Sequence, residues 1–309
     1  DNPQDVKFAW DERAGRQQFE AALALSDEIE RHASDRLSPV VFPAQIDTVS
    51  EDLFRDAISV AARTGRMMTT HIAQSVVEFR EMIRRTGMSP VQWAGSIGLL
   101  GPRTVLGHSI FVDEHPSIRW HTRRDIAILA ETGATVAHCP MPFALYGETL
   151  SHFGSYVARG VNLGMGTDMA PHNLLEEMRL ALLLGRVTSH DVYSVGAGAL
   201  LDAATIAGAR ALGRDDLGRL SSGAKADLVS IDVAGLLVGT GATPPEPLNH
   251  LLYAGGAAVR NVMTDGVFQV FDGRFVADDE AEVIRKGGEA VAKIWQRLAS
   301  EDWFKPTAR

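Results

Sequence analysis

The chain has 309 residues and a mass of 33.4 kDa, a length that fits either one large α/β barrel or two modest domains. Its 45% hydrophobic and 22% charged residues are typical of a folded globular protein and exclude wholesale disorder. Acidic residues outnumber basic ones, 39 against 30, and the formal net charge of −9 argues against nucleic acid as a partner.

Cysteine content and the N-terminal residues indicate the compartment. Cys139 is the only cysteine, so no disulfide can form within the chain and a cytoplasmic location is expected. No apolar run of about 18 residues occurs, and the first residues lack the basic and apolar regions of a signal peptide. The sequence therefore predicts no membrane partner. It also does not begin with methionine.

Five short β-type runs alternate with amphipathic helical stretches from about residue 39, the pattern of βα units in a parallel sheet. The last four runs end at residues 71, 108, 138 and 168, with spacings of 37, 30 and 30 residues. These spacings match the roughly 31 residues per unit of a TIM-type (β/α)8 barrel. The five runs are 40–42, 67–71, 104–108, 134–138 and 161–168.

Local signals mark the ends of the predicted helices. Thr48 and Glu51 have the spacing of a capping box, and Ser89 precedes a proline at the first helical position. Gly65 and Gly133 stand where a helix would stop before the next strand. The alternation of helices and strands is thus predicted by local chemistry as well as by hydrophobic periodicity.

The composition changes near residue 219 and again near residue 278. Residues 1–218 are expected to form the barrel portion. Residues 219–277 are rich in Gly, Val and Asp, and two Asp-Gly turn signals flank the run Val-Phe-Gln-Val-Phe, which predicts hairpins in a small β domain. Residues 278–309 are expected to form a closing amphipathic helix.

Chemistry-bearing side chains fall at the ends of the predicted strands. Three successive strands end in His71, His108 and His138, and the next ends in Asp168. The carboxyl ends of barrel strands meet at one mouth, so these side chains should share a cavity. Imidazole and carboxylate together suit a divalent transition metal, with zinc expected and iron as the alternative. A carboxylate beside a metal-activated water can take its proton.

Four segments of the chain resemble the successive barrel motifs of the amidohydrolase superfamily. The branch they resemble contains the triazine chlorohydrolases, the adenosine-type deaminases and the cytosine-deaminase-like enzymes. The resemblance runs from about residue 39 to residue 277 and is specific as a set. The segments are Thr70-His71-Ile72-Ala73-Gln74, Leu106-Gly107-His108, Glu131-Thr-Gly-Ala-Thr-Val-Ala-His138-Cys-Pro140 and Gly160-Val-Asn-Leu-Gly-Met-Gly-Thr-Asp168.

The resemblance implies a role for each strand-end residue. His71 is expected to bind the metal, and Asp168 to touch the metal and act as the general base. His108 is expected to hydrogen-bond the attacked group or the water, with a third metal ligand as the alternative. His138 is expected either to contact substrate or to support the residues around it. His172, in the loop after the last strand, is a further candidate for binding substrate.

Two departures from the family pattern bear on the substrate. Deaminase-type members carry Glu three residues after the first of these histidines, where it transfers a proton to the ring, and this chain has Gln74. An amide donates a hydrogen bond but transfers no proton, so Gln74 is expected to orient a substrate carbonyl. Residues 141–147 also differ from the Ser-Asn-containing stretch of the deaminases, which implies a different pocket.

The His-x-His metal-binding pair of the family has no counterpart among the ten histidines of this chain. Residues 40–42 would be the fourth barrel strand, so the chain would hold about strands 4–8. Roughly 150 residues would then lie upstream, from about 31 residues for each missing barrel unit plus the missing strands of the β domain. A missing N-terminal segment or a companion chain is the expected partner, together with a small-molecule substrate and a homo-oligomer.

The predicted function is that of a metal-dependent hydrolase that cleaves a bond at a planar carbon through a metal-activated water. A C–N bond of a small amide, carbamate or heterocycle is the first expectation, and C–S and C–Cl bonds are the alternatives. The competing hypothesis is a non-catalytic partner subunit, derived from an amidohydrolase that lost its N-terminal metal ligands.

Overall fold

A computed structural model describes residues 8–151, 153–234, 246–254 and 258–300. The chain divides into two compact units: residues 1–219 with 248–255, and residues 220–247 with 256–309. Residues 235–245 and 255–257 of the expected small β domain lie outside the described residues, as do residues 301–309 of the expected closing segment.

The first unit contains a five-stranded sheet in the order β1-β2-β3-β4-β5, and every neighbouring pair is parallel. Strand order follows chain order, as expected when each strand is followed by a helical crossover. The carboxyl ends of all five strands therefore lie along one edge of the sheet. The strands are β1 (Val40–Val41), β2 (Met67–Ile72), β3 (Thr104–His108), β4 (Thr135–His138) and β5 (Asn162–Met165).

Helices connect and cover these strands. The long helices before and after β1 each place apolar side chains toward the core, and shorter helices follow the later strands. The helices of this unit are α1 (Glu12–Arg31), α2 (Glu51–Thr64), α3 (Val76–Thr86), α4 (Pro90–Ser96), α5 (Asp125–Thr132), α6 (Pro140–Ala144), α7 (Phe153–Ala158), α8 (Leu174–Ser189), α9 (Ala197–Ala204), α10 (Ile206–Ala211) and α11 (Pro247–Ala254). The last helix, α12 (Glu280–Ser300), belongs to the second unit.

Helix termini follow the sequence signals with one exception. Ser89 caps α4 through its side chain, and Gly65 and Gly133 end α2 and α5 in the left-handed conformation, as predicted. The predicted start of α2 at Thr48 is wrong. Ser50 caps this helix instead, because its hydroxyl accepts the Leu53 amide at 3.4 Å.

Two predicted strand ends also differ from the structure. β2 continues one residue past His71, and β5 stops at Met165, three residues before Asp168. The Gly166 amide still donates to the carbonyl of His138 at 2.9 Å, so pairing with β4 ends just beyond the strand. Asp168 therefore lies in the loop after β5, with a positive φ of 57°.

The core of the first unit lies between the sheet and its helices. Phe54 of α2, Ile72 of β2, Leu106 of β3 and Leu182 of α8 are fully buried in one hydrophobic cluster. Each such side chain contributes about 1.5–3 kcal/mol through burial. Tyr156 is also fully buried, and its hydroxyl donates to the carbonyl of Ser109 at 2.7 Å, which ties α7 to the loop after β3.

The second unit contains a four-stranded antiparallel sheet in the order β6-β7-β8-β9. Its strands are β6 (Leu228–Asp232), β7 (Ala258–Thr264), β8 (Val267–Phe271) and β9 (Arg274–Phe275). The predicted hairpin turns lie at Gly266 and Gly273, both with positive φ. Across both units, no helix in the described ranges combines the length and apolarity needed to cross a bilayer.

A buried polar network joins α4, the loop after β3 and the start of α5. Asp125 accepts hydrogen bonds from the Ser89 hydroxyl at 2.6 Å and from the Gln92 amide group at 2.9 Å. Asp125 and Asp113 each accept the other's backbone amide, at 2.8 and 3.2 Å. Burial, with the nearby Asp113 charge, raises the pKa of Asp125 to about 6.

We predict that Asp125→Asn changes how stability depends on pH. The folded protein holds the Asp125 proton more tightly than the unfolded chain, whose aspartate has the ordinary pKa of 3.8. The contribution of Asp125 to stability therefore falls as pH rises from about 4 to about 6, and the variant lacks this loss. Urea unfolding should show that the destabilisation caused by Asp125→Asn shrinks across this interval. A difference that stays constant or grows with pH would contradict the assignment.

Candidate functional site

The register of β2 against β3 brings two histidines together. His71 lies opposite Gly107, and Ile72 lies opposite His108. The two imidazole rings stack, with centroids 5.2 Å apart and planes 12° apart. A Cβ added at Gly107 would come within 3.0 Å of the His71 ring, so glycine leaves the space that this ring occupies.

A backbone carbonyl fixes the tautomer of His71. Its Nδ1 atom lies 2.8 Å from the carbonyl oxygen of Ala44, in the segment that follows β1. A carbonyl oxygen only accepts, so Nδ1 carries the proton and Nε2 keeps its lone pair. This arrangement is typical of metal-binding histidines, whose second nitrogen is held by a carbonyl or carboxylate.

His108 is buried and uncharged. Its side chain is 4% exposed, and burial lowers its pKa to about 4, although the Asp168 charge opposes this shift. Its Nδ1 atom is buried without a hydrogen-bond partner among the described residues. Nε2 is the ring nitrogen that faces Asp168, and in a neutral imidazole it can either donate or accept there.

Asp168 completes a cluster with the two histidines. One of its carboxylate oxygens lies 3.9 Å from Nε2 of His108, and its side chain is 39% exposed. One ring nitrogen each of His71 and His108 and one oxygen of Asp168 all lie within 4.8 Å of one another. Two imidazoles and a carboxylate in this space are a donor set suited to zinc or iron.

The other three predicted site residues, His138, Gln74 and His172, lie outside the cluster of His71, His108 and Asp168. His138 is 2% exposed, its pKa is lowered to about 3 by burial, and it is not part of the metal-ligating cluster found among the described residues. Gln74 is half-buried in the loop after β2. His172 is exposed in the loop after β5, with Nδ1 at 2.9 Å from the Thr167 hydroxyl. Burial favours a supporting role for His138.

Glu78 is a residue that the sequence analysis did not single out. It is fully buried, its carboxylate accepts the backbone amides of Ala73 and Gln74, and burial raises its pKa to about 8. It therefore fixes the turn that carries Gln74. The spacing Ser75-x-x-Glu78 is that of a capping box and could have identified Glu78. In the structure the Ser75 hydroxyl accepts the Glu78 amide at 3.0 Å, as in such a box.

The left-handed turns after β2 and β3 are hydrogen-bonded to each other. The Ala73 carbonyl accepts the amides of Ile110 and Phe111, at 2.9 and 2.7 Å. Ala73 and His108 have positive φ values of 51° and 75°, which non-glycine residues seldom adopt. Such conformations persist where surrounding contacts hold them, and here they aim the site residues.

Residues 10–268 match the Amidohydrolase family. A 5-methylthioadenosine/S-adenosylhomocysteine deaminase from Haloarcula marismortui is 31% identical over 298 residues, covering 94% of this chain and 66% of the relative. A 5'-deoxyadenosine deaminase from Methanothermobacter thermautotrophicus is 31% identical over 267 residues, covering 85% of this chain and 60% of the relative. This chain thus spans about two thirds of the length of the curated relatives it matches.

Solved structures show the same fold. An adenosine deaminase from Xanthomonas campestris with bound zinc superposes with a TM-score of 0.79 at 24% identity, covering 91% of this chain and 62% of that one. Atrazine chlorohydrolase TrzN from Arthrobacter aurescens, complexed with zinc, gives a TM-score of 0.75 at 23% identity, covering 88% and 59%. These likenesses confirm the predicted α/β class with a TIM-type barrel. Together with the residues matched, they confirm the predicted resemblance: the chain belongs to the amidohydrolase family.

Proposed function

We propose that this chain carries the catalytic residues of a zinc-dependent hydrolase that cleaves a C–N bond at a planar carbon. The observation that carries the proposal is the cluster of His71, His108 and Asp168, whose ligand atoms lie within 4.8 Å of one another. A small amide, carbamate or heterocycle is the proposed substrate, with C–S or C–Cl cleavage as alternatives. Retention of the cluster argues against the non-catalytic subunit.

His71 and Asp168 would hold the metal. His71 fits because Ala44 occupies its Nδ1 and leaves the Nε2 lone pair available. Zinc supplies, when bound, a Lewis acid that lowers the pKa of water toward neutrality. Iron is the alternative metal, since the same donor set accepts it.

Asp168 is the proposed general base. Its carboxylate is partly exposed, so a water molecule can reach it, and its oxygen is positioned within the cluster to accept the proton of the attacking water. His108 is the proposed hydrogen-bond donor to the oxygen that gains negative charge, because its neutral ring can donate from Nε2 toward the cluster. If His108 were instead a third ligand, His108→Ala would lose zinc.

Gln74, His138 and His172 are the remaining residues with a proposed role. Gln74 orients the substrate carbonyl, since its amide can donate a hydrogen bond from a turn that Glu78 holds in place. His172 lies on the same loop as Asp168 and would contact the substrate from the solvent side. His138 supports the cluster from the core, where burial keeps it neutral.

Deamination of an adenosine-type compound is the second candidate function. The two relatives named above are deaminases by name, and this supports C–N hydrolysis. Gln74 distinguishes the candidates, because proton transfer to a ring nitrogen needs an acid and an amide is not one. Comparing nucleosides with N-substituted amides and carbamates as substrates of the zinc-loaded protein separates them.

We predict that Gly107→Ala lowers zinc affinity by about tenfold or more, the usual cost of disturbing what orients a metal ligand. Its Cβ would come within 3.0 Å of the His71 ring. Gly164→Ala in β5 is the matched control, because its Cβ would meet nothing closer than 3.8 Å. Competition with a chromogenic chelator measures both affinities. Equal affinities for the two variants would remove His71 from the metal site.

We predict that Asp168→Asn lowers kcat/KM by at least about 100-fold while the protein stays folded, because an amide cannot accept the water's proton. The measurement uses the best substrate of the panel, with circular dichroism and urea unfolding of the same samples. Asp168 is partly exposed, so little stability should be lost. Turnover near the wild-type rate would exclude Asp168 as the base.

We predict that Gln74→Glu increases ammonia release from adenosine-type nucleosides by at least about tenfold, because a carboxylic acid can protonate the ring nitrogen. Hydrolysis of N-substituted amides should fall in the same variant, since the amide donor is lost. Ammonia release and amide cleavage are measured on the same zinc-loaded preparations. Rapid nucleoside deamination by the wild type, unchanged in the variant, would show that the proton takes another route.

A further inference from the structure

The segment between β4 and α7 is apolar although much of it faces solvent. It contains Met141, Phe143, Leu145 and Tyr146, which we call the apolar wall. Leu145 is 65% exposed and Tyr146 is 85% exposed. Neighbouring apolar side chains left in water at a strand's carboxyl end are typical of a surface that binds a ligand.

Phe143 joins the apolar wall to the metal-ligating cluster. Its ring contacts the ring of His108 in an edge-to-face arrangement, with centroids 4.6 Å apart and planes 61° apart. His108 in turn lies 3.9 Å from Asp168. A molecule whose reacting carbon lies at the cluster would therefore meet Phe143 with the group attached to that carbon.

Hydrogen bonds at both ends hold the apolar wall in place. The buried carboxylate of Glu177 on α8 accepts the Met141 amide at 3.0 Å. The Phe143 carbonyl accepts the amides of Tyr146 and Glu148, at 2.9 and 3.0 Å. The backbone that presents Phe143 is thus fixed in advance, which lowers the ordering cost of binding.

The side chains of the apolar wall discriminate between substituents. Met141, Phe143 and Leu145 carry no hydrogen-bond donor, so a polyhydroxylated group placed against them would lose water without gaining partners. An apolar group loses no hydrogen bonds there, and an aromatic one adds ring contacts with Phe143.

We propose that Phe143 is a specificity-determining residue that binds an apolar substituent on the reacting carbon of the substrate. Leu145 and Tyr146 extend this surface toward solvent. The proposal rests on the proposed function, because it places the reacting carbon at the cluster of His71, His108 and Asp168. It selects compounds with an aryl or alkyl group at that carbon over compounds with a sugar there.

Phenylphosphonate and methylphosphonate are the probes that test this proposal. Both present the same tetrahedral anion, which mimics water added to a planar carbon, and they differ in the apolar group. Calorimetry with the zinc-loaded wild type should show phenylphosphonate binding about tenfold more tightly than methylphosphonate. In Phe143→Ser this ratio should fall below about threefold, because the phenyl group loses more apolar contact than the methyl group does.

Two further variants, one intermediate and one control, test whether the ratio of the two affinities depends on the Phe143 ring. Phe143→Leu keeps apolar volume but no ring, so its ratio should lie between those of the wild type and Phe143→Ser. Tyr193→Leu is the matched control, because Tyr193 is 91% exposed beyond the far end of α8. Its ratio should equal that of the wild type.

Each contrary outcome has a distinct meaning. If Phe143→Ser binds both probes with the wild-type ratio, the inference is overturned and the proposed function stands. If Phe143→Ser loses methylphosphonate as well, and Phe143→Leu keeps the wild-type ratio, Phe143 maintains the site's shape and selects no substituent, so the inference is again overturned. If the zinc-loaded wild type binds neither probe, both the inference and the proposed function fail.

Discussion

In the register of β2 against β3, His71 lies opposite a glycine, and the missing side chain leaves the room that the His71 ring occupies beside His108. A shift by one residue would turn these side chains to the opposite faces of the sheet. The carbonyl of Ala44 then selects which nitrogen of His71 faces the cluster. Sheet pairing and one backbone hydrogen bond therefore determine the donor set.

Around the site, buried carboxylates accept hydrogen bonds from backbone amides and so fix the course of the chain. Glu78 holds the turn that carries Gln74, Glu177 holds the start of α6, and the Asp113–Asp125 pair joins the loop after β3 to α5. Each accepts main-chain amides at places where the chain leaves regular structure, so burial of the acid is compensated by hydrogen bonds. These hydrogen bonds fix the backbone of the loops that surround the site.

Much of the fold could be predicted from local sequence signals. The alternation of strands and helices, the caps at Ser89 and Gly133 and the convergence of His71 and His108 depend on short-range chemistry and on the geometry of parallel sheets. The end of β5 could not be predicted from the sequence, because Asp168 reaches the cluster through a left-handed loop after the strand. The capping-box spacing of Ser75 and Glu78 marks Glu78 in the sequence, but its burial could not be predicted, since a buried glutamate resembles a solvent-facing helix charge.

Four residues in the loops at the site have positive φ: Ala73 at 51°, His108 at 75°, Ser109 at 46° and Asp168 at 57°. Each such conformation costs on the order of 1 kcal/mol, and only the completed set of loop contacts maintains it. The cluster therefore exists in the native ensemble and not in the unfolded one. A cation that binds only the assembled cluster would shift the folding equilibrium by RT ln(1 + [L]/Kd), about 4 kcal/mol at 1,000 times its Kd. If this chain binds zinc as proposed, the amount of folded protein would therefore depend on how much metal is available.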